Sequence, residues 1–90
     1  MSNCLITPRG EIQAARPKDG VAFSVTELQD MVQGYIAVEE YEEGYMVFDV
    51  DGNEGKLYNK KATELLREYN PEWKGFVAGN AVVCEKVRVD

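Results

Sequence analysis

The sequence predicts an α+β domain: a mostly antiparallel sheet with two helices packed on one of its faces, in the order ββαββαβ. Three observations carry this. Apolar residues recur at helical spacing in two segments, 25–32 and 62–69. Short alternating or continuous apolar stretches, bounded by glycine, proline and asparagine, surround them. Each helical segment has only one apolar stripe, so each needs a single surface to cover it.

Taken in order, Cys4, Leu5, Ile6 and Thr7 form a short strand closed by the turn Pro8-Arg9-Gly10. Residues 11–16 alternate weakly and pair back as a hairpin, which residues 17–20 break. Ser24 then opens a capping box with Glu27, the hydroxyl and the carboxylate each meeting a free amide of the first turn. Val25, Leu28, Met31 and Val32 make the stripe of the first helix, and Gly34 is expected to end it in a left-handed conformation. Residues 35–41 form a strand with Ile36 and Val38 inward. Glu42-Glu43-Gly44 turns it, and residues 45–50 return with Met46, Phe48 and Val50 on one face. A second glycine-rich turn, 51–55, leads to a short strand at 56–58 and to Asn59, a good N-cap. Ala62, Leu65, Leu66 and Tyr69 stand at i, i+3, i+4 and i+7, and Asn70-Pro71 stops that helix. The last strand starts at Phe76 or Ala81 and runs to Val89. Its middle, 81–84, is apolar on both faces and marks a central strand covered above and below.

Ninety residues make one domain, 1–90, with no room for a second core. A hydrophobic content of 44% is ordinary, and 29% charged residues argue against a membrane protein. No run approaches the roughly 18 apolar residues that span a bilayer. The N-terminus lacks the basic start and apolar stretch of a signal peptide, so a cytoplasmic location is expected. A net charge of −6 counts against a nucleic-acid partner and favours a protein partner with a basic surface. Cys4 and Cys84 are too few and too far apart for a disulfide scaffold or a zinc site. In a reducing compartment they read as buried thiols.

The candidate sites follow from a charge asymmetry. Residues 39–54 carry seven carboxylates and no basic residue, whereas Lys56, Lys60 and Lys61 follow closely. Tyr35, Tyr41 and Tyr45 are expected on the outer face of the acidic hairpin beside Glu39, Glu42 and Glu43. Tyrosines among carboxylates suit recognition of a basic partner, since the rings supply area and the charges steer. The alternatives are a homodimer seam or a purely structural, self-associating domain. Lys56, Lys60 and Lys61 lie near the start of the second helix, where cations are locally unfavourable, and such a broken rule marks a possible anion or small-ligand site. The segment Asp49-Val50-Asp51-Gly52-Asn53 imitates a calcium loop but has Glu54 where glycine is needed and Lys60 where the bidentate glutamate belongs. No metal, cofactor or catalytic residue is assigned. The chain has no histidine, no nucleophile elbow and no phosphate-binding glycine loop.

These residues resemble those of a family of small phage and mobile-element proteins, domain-of-unknown-function family thirty-eight forty-six. The resemblance runs through Leu28, Gly34-Tyr35-Ile36, the acidic hairpin, Gly55-Lys56-Leu57, Asn59, Ala62-Thr63, and Gly79 before Val82-Val83, spanning residues 21–83. Gln33 and Ala37 depart from the pattern, as does the absence of a proline before Asn59. It implies a mobile-element origin and names no reaction. The functional expectation is therefore a non-enzymatic accessory protein acting by contact through its acidic hairpin.

Overall fold

A strand whose every side chain is apolar must be covered on both faces, and Ala81, Val82, Val83 and Cys84 are all buried. The computed structural model describes residues 3–41, 44–51 and 55–85. Its elements are β1 (Cys4–Ile6), β2 (Ile12–Ala14), α1 (Val25–Val32), β3 (Ile36–Tyr41), β4 (Gly44–Asp49), α2 (Lys60–Tyr69) and β5 (Ala81–Cys84), in the expected order ββαββαβ. They make a five-stranded sheet in the order β2-β1-β5-β4-β3. Every pairing is antiparallel, and β5 is central.

The registers align Cys4, Val83 and Met46 across one face of the sheet, and Leu5, Val82 and Val47 across the other. The first face packs with Ile6, Phe48 and Ala81 against Ala62 and Leu66 of α2 and against Val77. The second packs with Cys84 against Phe23 and against Leu28 and Val32 of α1. The helices therefore lie on opposite faces, which corrects the expectation that both cover one side. The reason lies in β5: its side chains alternate between faces, and each apolar set needs its own cover.

Local chemistry sets most boundaries as expected. Ser24 Oγ accepts from the Glu27 amide at 3.2 Å, and Glu27 Oε1 accepts from the Ser24 amide at 3.1 Å, completing the capping box. Asn59 caps α2, accepting from the Ala62 amide at 3.0 Å. Its Nδ2 donates to the carbonyls of Ile6 at 3.0 Å and Gly79 at 2.8 Å, so one buried side chain joins α2, β1 and the approach to β5. Residues 56–58 form only an isolated bridge, Tyr58 opposite Ala78, in place of the expected short strand.

Helix α1 ends differently from expectation. Gln33, with φ of 61°, takes the left-handed position. Gly34 is needed for space instead: a Cβ there would lie 2.6 Å from Asp49 Oδ2. Among the described residues no helix is long and apolar enough to cross a membrane.

Candidate functional site

The β3–β4 ribbon has two faces, and side-chain alternation divides its functional candidates between them. Ala37, Tyr41, Met46 and Phe48 face α2, while Ile36, Tyr45 and Val47 face α1. Glu39 pairs with Met46 and so joins the α2 face; Glu40 pairs with Tyr45 and joins the α1 face. Tyr41 is engaged, stacking on Tyr69 with centroids 4.4 Å apart and planes 13° from parallel. Tyr35 precedes the strand, 73% exposed, and borders an open hollow with Gln29, Asp30, Gln33 and Gly34. Glu42 and Glu43 lie outside the described residues. Tyr41 and Tyr45 thus lie on opposite faces, which corrects the expectation that the three tyrosines share one outer face. Tyr45 stands opposite Glu40, so strand alternation sends it to the other side from Glu39 and Tyr41.

Asp49 leaves the acidic surface altogether. Lys56 Nζ donates to its Oδ2, and the Asp51 amide donates to its Oδ1 at 2.9 Å. Burial pushes the Asp49 carboxyl up. The Lys56 hydrogen bond, the Asp51 amide and the Lys56 charge together outweigh burial and hold it below the usual aspartate value. Lys56 Nζ also donates to the carbonyls of Val32 and Gln33, both at 2.8 Å, and Asn80 Nδ2 donates to Met31 O at 3.1 Å. The C-terminal carbonyls of α1, which has no basic residue in its own last turn, are capped from elsewhere in the chain.

This separates Lys56 from the other members of the anion candidate. Lys60 sits 3.8 Å from Glu64, both side chains largely exposed. Lys60 and Lys61 border a hollow of about 400 Å³ together with Glu64 and with Arg9 of the β1–β2 turn, a cation distant from them in sequence.

The residues that carry the family resemblance serve this scaffold. Gly34 makes room for Asp49, Lys56 ties Asp49 to α1, and Gly79, with φ of 77°, leaves 2.8 Å between its absent Cβ and Lys56 Cδ. Thr63 Oγ1 accepts from the Val77 amide at 2.8 Å.

One feature of the hairpin gathers chemistry on a single side. A cleft of about 330 Å³ opens on the α2 face, lined by Ala37, Glu39, Val50, Trp73, Gly75 and Phe76 among others. Trp73 is held edge-to-face on Phe48, centroids 5.9 Å apart at 68°. A Cβ on Gly75 would come within 2.8 Å of the indole, so glycine lets the ring lie against the backbone. The loop is further fixed by Arg67 Nη2 donating to Gly75 O at 3.0 Å and by the Trp73 amide donating to Asn70 O at 3.0 Å. Tyr58 continues the aromatic wall, 6.3 Å from Phe76. Val50 and Phe76 remain 57% and 48% exposed, and no described cation pairs with Glu39. Aromatic faces beside a carboxylate that no described cation pairs with suit a guanidinium or ammonium group.

Of the expected partner residues that are described, only Glu39 lines this cleft. Trp73 and Phe76 were missed because they come from the α2–β5 loop. Their signal was the sole tryptophan of the chain standing near a phenylalanine in the stretch between the Asn70-Pro71 stop and the apolar run at 81–84.

The thiols lie apart from all of this. Cys4 and Cys84 are buried thiols not joined in a disulfide, on adjacent strands but opposite faces. Burial raises the Cys4 thiol and pushes Cys84 up to about 11.

Compared with known protein families, with curated proteins and with solved structures, the chain matches none.

Proposed function

We propose that this protein is a non-enzymatic contact module whose recognition surface is the α2 face of the β3–β4 hairpin, and that it takes a basic side chain of a partner protein into the cleft. The observation that carries this reading is the placement of Glu39 among Val50, Trp73 and Phe76. A cation entering there meets a carboxylate at one wall and aromatic faces at the others, with the net charge of −6 drawing it in from a distance. The contact surface is then one side of the acidic ribbon and not the whole of it. An accessory role in a mobile element, as the family resemblance implies, is compatible with such a module.

The sole tryptophan makes the test direct. Adding argininamide, or a lysine- and arginine-rich peptide, is expected to change Trp73 fluorescence saturably. Salt and Glu39→Gln should each weaken the response, since both remove the same attraction. A wild-type response unaltered by Glu39→Gln, or no response at all, would overturn the reading.

The anion alternative retains Lys60 and Lys61, now with Arg9. It calls for a phosphate-dependent rise in Tm, and a Tm indifferent to phosphate would remove it.

A further inference from the structure

The sheet has two outer strands, and they are unequal. Strand β2 is only three residues long, whereas β3 has six, and no described strand pairs with its outer side. The hydrogen bond from the Val50 amide to Tyr35 O, 2.9 Å, fixes which groups of β3 are free. Residues 35 and 50 share the β3–β4 register, so Ala37, Glu39 and Tyr41 form the hydrogen-bonded pairs with β4. The amides and carbonyls of Ile36, Val38 and Glu40 therefore point away from the sheet. Such an edge is a ready template for another strand.

We infer that the partner adds an extended, basic segment to the β3 edge, forming a sixth strand whose side chains on the α2 face project over the Trp73 cleft. The inference rests on the proposed cleft reading and specifies the shape of its ligand. Residues of an added strand opposite Ala37 and Glu39 share their face, with Cβ atoms about 5 Å away. A lysine or arginine opposite Ala37 or Glu39 therefore stands beside Glu39, Trp73 and Phe76. The other face of the added strand lies along Ile36, Val38 and Glu40, which suits apolar residues alternating with the basic ones.

Charge decides between this occupant and a second copy of the chain. Glu39 and Glu40 put a carboxylate on each face of the edge, and no described cation pairs with either. Two copies meeting edge to edge would bring these carboxylates together between chains that each carry −6. A basic strand turns the same charges into attraction, so the edge is closed to itself and open to an oppositely charged segment.

The test uses a capped peptide alternating valine with lysine and arginine, with argininamide as the cleft-only probe. On peptide binding, the amides of Ile36, Val38 and Glu40 are expected to gain protection from hydrogen exchange. Val38→Pro removes an outward amide without touching the β3–β4 ladder, and proline is tolerated on edge strands. It should weaken peptide binding about tenfold while leaving the argininamide response intact. A peptide N-methylated at alternate residues, tested on the wild-type chain, should lose affinity to a similar extent. Peptide binding without amide protection, and with equal affinity for the N-methylated form, overturns strand addition and leaves the cleft reading standing. No Trp73 response to either probe removes both. Protection of these amides that grows with protein concentration in the absence of peptide assigns the edge to a second copy and overturns the inference.

Discussion

A lysine just before a helix start is locally unfavourable, yet Lys56 stabilises this molecule through a different helix. It lies before the wrong end of α2 and beside the right end of α1, where its ammonium meets two terminal carbonyls and the Asp49 carboxylate. In the sequence alone, this broken rule points to an anion. The satisfying partner was a folded-back segment that no local pattern displays. Only 7% of the Asp49 side chain and 23% of the Lys56 side chain remain accessible, so removing the lysine strands a buried carboxylate. Replacing Lys56 by methionine keeps most of the side-chain volume and is expected to destabilise the fold by about 3 kcal/mol near neutral pH. The pH dependence gives the sign. A carboxylate depressed in the fold adds stability above its unfolded pKa, about 3.9, and that stability is lost as pH falls through the folded value. Without Lys56, burial dominates and raises the carboxyl, so protonation relieves the variant while it penalises the wild type. The stability gap should therefore shrink below about pH 4. Urea melts of both proteins across this range read the gap; one that stays constant with pH would show that Lys56 does not hold Asp49.

At the scale of elements, short-range rules were legible and facing was not. Ser24 with Glu27, Asn59, and Asn70-Pro71 each act within a few residues, and each sets its helix end as the sequence predicts. The stripe on a helix says that one side is covered; it does not say by which face of the sheet. The apolar run of β5 did carry that information, since a strand buried on both sides conflicts with two helices on one. The α1 terminus shows a similar substitution of causes. Gly34 was read as a left-handed cap, but its role is steric, opening the space into which Asp49 reaches Lys56. Gly34→Ala is expected to lose about 2 kcal/mol by forcing that carboxylate aside. Because Gly34 and Lys56 act on the same carboxylate, the losses should not add. In the doubly substituted Gly34→Ala, Lys56→Met protein the combined loss should fall short of the sum by at least about 0.5 kcal/mol. Denaturant melts of the four proteins measure this, and simple additivity would mean the glycine serves something other than Asp49. The cleft was the least legible element. One wall, Glu39, lies in a strand the sequence singles out, while its aromatic walls arrive from a loop whose path is fixed by contacts to Arg67 of α2 and Phe48 of β4.

For the whole molecule, the two cysteines report how stability is distributed through the sheet. Cys4 lies opposite Val83, one residue from Cys84, yet alternation sends the two thiols to opposite cores, so no disulfide can join them without reversing a strand. Their surroundings differ in depth. Cys84 belongs to the central strand, flanked by β1 and β4, and burial pushes its thiol up to about 11. Cys4 belongs to β1, shielded on its outer side by β2, whose three residues are all exposed. A short edge strand with no buried side chain frays at little cost, whereas exposing Cys84 requires lifting α1 from a strand that is paired on both sides. Thiol labelling followed by peptide mass analysis separates the two. In buffer both sites should react slowly. As urea is raised below the unfolding midpoint, Cys4 should label first through local opening of β2, while Cys84 should label at the rate of global unfolding. Lys56→Met lowers only the global barrier, so it should accelerate Cys84 far more than Cys4. Equal rates for both thiols at low urea would mean that β2 does not open alone and that the sheet unfolds as one unit from edge to centre. Faster labelling of Cys84 would place the weakest part of the molecule in its middle, contrary to the packing on both faces of β5.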